Sequence, residues 1–155
     1  MKTLFLVRHA QAADFGYIDQ ERPLTDFGKQ SAINLGIWLH QNQKIVQRMV
    51  TSSALRTIQT ADLIAQNSGF EKKNIRIEDR LYETSAEILE DYIFDLPPEL
   101  DSVLIVNHNP AISLLAKHLI GSSVPFFSPA GFVEIDLISW KKIGRQEGIL
   151  KNMQP

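Results

Sequence analysis

Short runs of apolar residues mark the chain at three places, and longer stretches of mixed polarity separate them. The runs are residues 4–7, 45–50 and 103–106, and two polar residues interrupt the second run. A continuous apolar run of about four to eight residues is consistent with a buried strand. Between the runs, apolar residues recur at the spacing of amphipathic helices. The pattern therefore predicts strands that alternate with helices.

The predicted elements follow one another in the order expected of an α/β protein. Strands are predicted over 3–8, 44–51, 75–78, 102–107 and 132–140, with 148–152 pairing with the last of them. Helices are predicted from 25 to 40, from 52 or 53 to 67, over 85–94 and from 109 to 121. This order predicts a three-layer α/β/α sandwich with a mostly parallel central sheet. We expect residues 1–155 to form a single domain.

Polar side chains near the predicted helix ends indicate where each helix starts. Thr25 is expected to cap the first helix, Ser52 or Ser53 the second, and Asn109 the fourth, where a proline follows. The inward face of the first helix is expected to carry Ile33, Ile37 and Leu39. Residues 10–24 are polar and irregular, which predicts a long loop, and long loops are often functional.

Composition and charge exclude several classes of protein. The chain has no cysteine, which excludes disulfides, thiolate metal sites and cysteine-based phosphatase chemistry. Its formal net charge is −2 and its pI is near 6.1, so neither a nucleic acid nor a membrane surface is an expected partner. No apolar run approaches the length of a membrane span and the N-terminus does not resemble a signal peptide, so we expect a cytoplasmic protein.

Two histidines and two arginines are predicted at the carboxyl ends of three strands. Arg8 and His9 follow the first, Arg56 opens the helix after the second, and His108 follows the third. In an open parallel sheet these strand ends face the crevice where ligands bind. Alone, Arg56 could be a surface side chain and His108 a structural one. Together they predict a pocket for a phosphoryl group, with one histidine as the nucleophile.

Other residue types give no comparable signal. Acidic residues lie scattered without the spacing of a metal site, so no metal is expected. His40 and His118 lie late in predicted helices, where a partly charged imidazole suits the helix dipole, and both are interpreted as structural. The sequence has neither a glycine-rich nucleotide-binding motif nor a serine nucleophile elbow, so nucleotide binding has no support.

The segments around these residues resemble one known family. The order of motifs is similar to that of the histidine phosphatase (phosphoglycerate mutase-like) superfamily, and the segments are Leu6–Ala10, Arg22–Gly28, Ser52–Ala61 and Val106–Pro110. Within it, the chain most closely resembles the short SixA-type phosphohistidine phosphatases over nearly its full length. Asn107 is a departure, because the family usually has glycine before the second histidine.

The resemblance implies a role for each member of the set. His9 would attack phosphorus and become a phosphohistidine, while Arg8, Arg56 and His108 would bind the equatorial oxygens. No metal or other cofactor is implied. Elementary chemistry agrees, because a neutral imidazole with a pKa of roughly 6.5 is a competent nucleophile at neutral pH. Arginine adds permanently charged, forked contacts to phosphate.

The expected substrate is a phosphohistidine-bearing protein, such as a phosphotransfer domain. Larger members of the superfamily insert a segment that covers the pocket, and the residues between 69 and 102 leave little room for one. An open pocket suits a bulky substrate, and the P–N bond of phosphohistidine is labile once its ring is protonated.

Two further residues and two further functions stay open at this point. Arg22 is a candidate substrate contact, with a loop ion pair as the alternative. Glu83 is a candidate acid or leaving-group contact, with a plain surface role as the alternative. A phosphatase of small phosphomonoesters would use the same site, and a non-catalytic phosphohistidine-binding module is the third possibility. A mutase is disfavoured, because it needs more enclosure.

Overall fold

The computed structural model describes residues 1–154. Its strands are β1 (Lys2–Arg8), β2 (Arg48–Ser52), β3 (Ile75–Glu78), β4 (Ser102–Asn107), β5 (Phe132–Leu137) and β6 (Ile149–Gln154). Its helices are α1 (Asp26–Gln41), α2 (Leu55–Ser68), α3 (Ala86–Phe94) and α4 (Ala111–Ile120), and 3-10 turns lie at 19–21, 72–74 and 79–81. Within residues 1–154, no helix combines the length and the apolar character that crossing a membrane requires.

All six strands form one sheet in the order β3-β2-β4-β1-β5-β6. Neighbours among β3, β2, β4 and β1 are parallel, whereas β5 is antiparallel to β1 and β6 to β5. The parallel pairs arise because a helix carries the chain back across the sheet before each next strand. The prediction of a mostly parallel sheet is therefore confirmed, with β5 as the strand that runs against the others.

Alternate residues of the central strands face opposite layers of the core. In β1, Leu4 and Leu6 belong to the cluster that includes α3 and α4, whereas Phe5 and Val7 belong to the one that includes α1 and α2. All four side chains are buried. Burial on both faces explains why this strand is a continuous apolar run in the sequence. The three-layer α/β/α architecture is confirmed.

The inward face of α1 differs from the prediction at one position. Leu39 is fully buried and Ile33 is half-buried, but Ile37 is 39% exposed. The buried stripe instead includes Gly36, where an added Cβ would lie 2.7 Å from the carbonyl oxygen of Ile64 in α2. Because this close backbone approach sets the rotation of α1, the next residue turns toward solvent.

The second strand begins later than predicted. Ile45 is 79% exposed, and β2 starts only at Arg48. The residues before it are tied to the start of β4 by side-chain bonds. The Ser102 hydroxyl donates to the Ile45 carbonyl, and the Gln47 side-chain oxygen accepts from the Ser102 amide. The segment is thus an ordered connection, and its isoleucine has no layer to pack against.

The cap predicted for α1 is confirmed, whereas the cap predicted for α2 is wrong. Thr25 caps α1, where its hydroxyl accepts from a backbone amide at 3.0 Å. Neither Ser52 nor Ser53 caps α2, which begins after Ala54 without a side-chain cap. The reason is that the Ser52 hydroxyl has another partner, the ring of His108.

The cap predicted for α4 is also wrong. The helix begins after Pro110, one residue later than expected, and no side chain caps it. Asn109 instead donates its side-chain amide to the Phe127 carbonyl and accepts from the Ser113 hydroxyl. Its side chain therefore braces the loop that precedes β5.

The connections that follow the neighbouring strands β1 and β4 run in opposite directions across the sheet. From β1, helix α1 leads toward β2 on one side, whereas from β4, helix α4 leads across the opposite face to β5. Such a switch point opens a crevice at the carboxyl ends of the strands. His9 and His108 follow β1 and β4 directly, so the topology places both histidines at this crevice.

Replacing Gly36 with alanine is expected to lower the free energy of unfolding by about 1–3 kcal/mol, because the new methyl group would overlap the backbone of α2. Urea unfolding followed by circular dichroism measures this change. Gly144→Ala is the matched control, since its added Cβ would meet only a Glu147 side-chain atom at 3.6 Å. Equal stability of the two variants would contradict the close approach of α1 and α2.

Candidate active site

A cavity of about 720 Å³ opens at the carboxyl ends of β1 and β4. The loop over 10–24 and the segment 82–84 form its mouth. All six residues singled out in the sequence line it, namely Arg8, His9, Arg22, Arg56, Glu83 and His108. Within residues 1–154, no group of three or more histidine and carboxylate side chains is placed to hold a metal ion.

Hydrogen bonds fix the ring of His9 and its tautomer. Its Nδ1 lies 2.7 Å from the Ala10 carbonyl oxygen, and because a carbonyl only accepts, this nitrogen carries the proton. The other ring nitrogen, Nε2, therefore keeps its lone pair. The backbone is held as well, since the His9 amide donates to the Asn107 carbonyl and the Ala10 amide to the Thr60 hydroxyl. His9 thus offers one unprotonated nitrogen from a rigid position.

A chain of hydrogen bonds sets the opposite tautomer on His108. Arg56 Nη2 lies 3.4 Å from His108 Nδ1, and since a guanidinium only donates, Nδ1 accepts. Nε2 then carries the proton and donates to Ser52 Oγ at 2.7 Å. The Ser52 hydroxyl donates to Thr57 Oγ1 at 2.8 Å, and Thr57 donates to the Ala54 carbonyl. The ring is therefore held by Nε2, with Nδ1 beside the guanidinium.

Both imidazoles are neutral at pH 7. Burial is the largest cause that lowers the pKa of His9 to about 4 and that of His108 to about 3. The positive charge of Arg56 lowers both pKa values further. The two ring centroids lie 5.4 Å apart. An anion bound between the rings would oppose both causes and raise the two pKa values.

Two guanidinium groups at the cavity have donors that nothing in residues 1–154 accepts. Arg56 is 6% exposed and Arg8 is partly buried, and the Nε of each is buried without a partner. Arg8 Nη1 donates to the Phe127 carbonyl at 2.9 Å, and burial lowers the pKa of its guanidinium. A buried donor left unpaired costs about 1–3 kcal/mol. Both residues also line the cavity, where their permanent positive charges suit an anion with several acceptor oxygens.

Asp19, which sequence reasoning did not single out, is a central acidic group of the mouth. Its carboxylate accepts from Arg56 Nη2 at 3.3 Å, from Arg22 Nε at 3.2 Å and from the Tyr82 hydroxyl. The Tyr82 bond and the two arginines lower the pKa of Asp19, and the same bond raises the pKa of Tyr82. In the sequence, only the spacing of three residues from Arg22 hinted at this pairing.

The two weaker candidates differ in how firmly they are held. Arg22 pairs with Asp19, lies 3.9 Å from Asp14 and donates to the Ala13 carbonyl, so the loop ion pair considered as an alternative is present. Glu83 is exposed with a positive φ of 38°, and its side chain makes no hydrogen bond or ion pair within residues 1–154. Its carboxylate is free to meet an incoming group.

Asn107, the departure from the family pattern, does not crowd the cavity. Its side chain is fully buried. Its Nδ2 donates to the Leu81 carbonyl at 3.1 Å, and its Oδ1 accepts from the His108 amide at 2.7 Å. The asparagine therefore ties the end of β4 to the turn that precedes Tyr82. A glycine could make neither bond.

The neutral histidines predict a loss of stability in acid. Below pH about 6.5 the unfolded chain takes up protons at both histidines, whereas the folded protein resists this until pH about 4 at His9 and about 3 at His108. The stability that each contributes is fully present above pH about 6.5 and declines as the pH falls. Urea unfolding at pH 7 and pH 4.5 measures the decline, which His108→Gln should reduce by roughly 1–3 kcal/mol.

Carboxylates also titrate in this range, so the comparison depends on a matched control. His40→Gln changes an exposed histidine and should keep the whole decline seen in the unsubstituted protein. An equal decline in His108→Gln and His40→Gln would show that His108 is not held neutral.

Comparison with known proteins identifies the family of the chain. A family model described as the histidine phosphatase superfamily (branch 1) matches residues 4–99. A phosphohistidine phosphatase SixA homolog of Haemophilus influenzae is 28% identical over 141 residues, covering 85% of this chain and 86% of that protein. Two further curated relatives are each 32% identical to this chain over a shorter stretch. The match to the first covers 104 residues, or 62% of that protein, and the match to the second covers 73 residues, or 25% of that protein.

Two solved structures share the fold over almost the whole chain. One, from Nakamurella multipartitia and named as a candidate phosphohistidine phosphatase SixA, gives a TM-score of 0.85 at 25% identity and covers 99% of this chain and 95% of that one. The protein histidine phosphatase SixA complexed with tungstate gives 0.85 at 23% identity, covering 97% and 95%. With Arg8, His9 and Arg56 inside the matched segment, the chain belongs to the histidine phosphatase superfamily.

Proposed function

We propose that the protein is a metal-independent phosphatase that removes phosphate from a protein histidine through a covalent intermediate on His9. The observation that carries the proposal is one cavity lined by His9, whose Nε2 is unprotonated, and by the permanently charged side chains of Arg8 and Arg56. A nucleophile and charges suited to a transferring phosphoryl group are thus side by side.

In the first step, the lone pair of His9 Nε2 forms a bond to phosphorus while the P–N bond of the substrate breaks. The electron pair of that bond stays with the substrate imidazole, which leaves as a neutral ring when its other nitrogen already carries a proton. His9 keeps its Nδ1 proton and becomes a phosphorylated imidazolium. The Ala10 carbonyl, 2.7 Å from Nδ1, stabilises this positive ring.

The arginines bind the phosphoryl oxygens during this transfer. Phosphoryl transfer needs mainly alignment and charge stabilisation, because the transition state spreads its charge over the equatorial oxygens. Arg8 and Arg56 supply permanent positive charge from partly or fully buried positions, where it is screened least. His108 Nδ1 gains a proton when the phosphate dianion binds and then donates to a third oxygen, while Ser52 holds its other nitrogen.

In the second step, water attacks phosphorus and the P–Nε2 bond breaks. The electron pair returns to His9, which regains the neutral tautomer that it started with. The extra proton of the attacking water is lost to the departing phosphate or to solvent. Arg8 and Arg56 stay charged throughout, so the same contacts that stabilise the first transfer stabilise the second.

The proton balance favours a phosphohistidine over a phosphate ester as substrate. Asp19 is a poor general acid, because its hydrogen bond from Tyr82 and its arginine partners lower its pKa and keep it ionised. Glu83 is the free carboxyl group at the mouth and is proposed as a leaving-group contact. A labile P–N bond, whose leaving ring is itself basic, needs little help from such an acid.

The open mouth supports a protein substrate. The segment between α2 and β4 is occupied by two 3-10 turns, by β3 and by α3, which packs against α4 in the second layer. No further helix or strand of residues 1–154 is left in this segment to cover the cavity. A protein that carries a phosphohistidine, such as a phosphotransfer protein, is the proposed partner, and the SixA relatives are named as phosphatases of phosphohistidine or of protein histidine. The cytoplasmic location stays a prediction.

A phosphatase of small phosphomonoesters is the second candidate. The Tyr82 hydroxyl and the Glu83 carboxylate both line the cavity, and an ester needs a proton donor for its alkoxide. A substrate panel separates the two. Phosphate release from a histidine-phosphorylated phosphotransfer protein is compared with release from p-nitrophenyl phosphate and sugar phosphates, and we expect a clear preference for the protein.

His9→Ala is expected to lower kcat on the phosphorylated protein by at least about 10³-fold, because the unprotonated nitrogen of the other imidazole, His108, is engaged by the Arg56 guanidinium. EDTA should leave the rate unchanged. His40→Ala is the matched control at an exposed position and should keep full activity. Full activity in His9→Ala contradicts the covalent step, and a rate that EDTA abolishes contradicts metal independence.

A further inference from the structure

Large apolar side chains lie exposed on the loop that forms one wall of the cavity mouth. Phe15 is 89% exposed, Ile18 71% and Tyr17 55%. Asp14 before them and Asp19 after them both line the cavity, so these three residues stand on its rim. We refer to Phe15, Tyr17 and Ile18 as the rim patch. Exposed apolar groups clustered at a polar site are a common mark of an interaction surface.

A second cavity, of about 420 Å³, adjoins this patch. It forms a groove between the 3-10 turn at 19–21 and the start of α2. Three apolar residues, Ile18, Leu55 and Ile58, give the groove its apolar character. Gln20, Glu21 and Ser53 line the remainder. We call this cavity the apolar groove.

The cavity of about 720 Å³ that His9 lines is called the phosphoryl cavity below. The apolar groove and the phosphoryl cavity share the same two segments of backbone. In the loop, Ile18 lines the groove while the next residue, Asp19, lines the phosphoryl cavity. In α2, Leu55 lines the groove while the next residue, Arg56, lines the phosphoryl cavity. The two depressions are therefore adjacent, with one shared wall made by the Asp19–Arg56 pair.

Hydrogen bonds between the loop and α2 hold the walls of the apolar groove in place. Arg56 holds the loop through both the backbone and the side chain of Asp19, at 2.8 Å and 3.3 Å. Gln20 donates to the Ser53 hydroxyl at 2.9 Å and closes the floor between the loop and α2. A preformed apolar surface costs little further ordering when a partner binds.

Charge at the rim indicates what kind of partner fits. Asp14, Glu21 and Glu83 are exposed acidic side chains around the two depressions. They surround a cavity whose floor is cationic. A phosphoryl group therefore meets positive charge at the floor, whereas the rest of its carrier meets negative and apolar groups. A carrier with basic and apolar residues around its phosphohistidine is complementary, and a polyanionic small phosphate is not.

We propose that the rim patch and the apolar groove form the docking surface for the protein that carries the phosphohistidine, with one apolar side chain of that protein seated in the groove. This inference rests on the proposed function. It follows because a protein histidine that reaches His9 must bring its own surface over the rim. The groove then selects carriers with an apolar residue next to the phosphohistidine, and the rim patch adds contact area.

The test compares a protein substrate with a small one. In the double variant Ile18→Ser/Leu55→Ser, kcat/KM for a histidine-phosphorylated phosphotransfer protein from the same genome should fall about tenfold, mainly through KM. For p-nitrophenyl phosphate kcat/KM should stay within about twofold, because neither side chain lines the phosphoryl cavity. Ile45→Ser is the matched control, since Ile45 is 79% exposed but precedes the amino end of β2, whereas the cavity lies at the carboxyl ends of the strands.

The outcomes separate this inference from the proposed function. Unchanged kcat/KM for the protein in the double variant overturns the docking surface and leaves the function intact. An equal fall for both substrates also overturns it, because the change then acts through the catalytic cavity. A concentration-dependent dimer that the double variant abolishes assigns the groove to a second copy of the chain, and overturns the inference too. If the unsubstituted protein releases phosphate from p-nitrophenyl phosphate but from no phosphohistidine protein, the function itself fails.

Discussion

The candidate site depends on two arginines whose positive charges are held, partly or fully buried, at one cavity. Arg8 is the last residue of β1 and Arg56 lies in the first turn of α2. The Nε–H group of each is buried and has no acceptor within residues 1–154. Such donors are destabilising on their own, so the fold must hold them against a cost of about 1–3 kcal/mol each. It does so with the two-sided core around β1 and β4. Both residues also line the cavity, and a bound phosphoryl group would balance their positive charges, which makes anion binding the natural use of the cavity.

Hydrogen bonds hold the two histidines at the same cavity in opposite tautomers. His9 is held through Nδ1 by the Ala10 carbonyl, so that Nε2 is left for chemistry. His108 is held through Nε2 by Ser52, so that Nδ1 stays beside Arg56. Because burial and the arginines lower both pKa values, both rings are neutral at pH 7 before a substrate binds, and His9 keeps the lone pair that attacks phosphorus. One imidazole is thereby suited to attack phosphorus and the other to bind an oxygen.

The sequence predicted the layers and the convergence of the site, because both follow from strand order and apolar runs. The run at Leu4–Val7 reads as a buried strand, and residues that follow parallel strands meet at one edge of the sheet. The features that the sequence did not predict depend on contacts between residues that are far apart along the chain. Ile37 was expected inside, but the close approach at Gly36 rotates α1 and exposes it. Ser52 was expected as a cap, but the His108 ring competes for its hydroxyl. Asp19 went unnoticed because its partners Arg56 and Tyr82 are distant along the chain.

The central claim is that His9 carries the phosphoryl group during turnover. Rapid mixing of the protein with a radiolabelled phosphohistidine substrate, followed by an alkaline quench and peptide mass spectrometry, tests it most directly. The account predicts a transient label on the peptide with His9 that is stable in alkali, labile in acid and gone by the end of turnover. Turnover at the normal rate with no label on the protein, or with the label on His108, would contradict it.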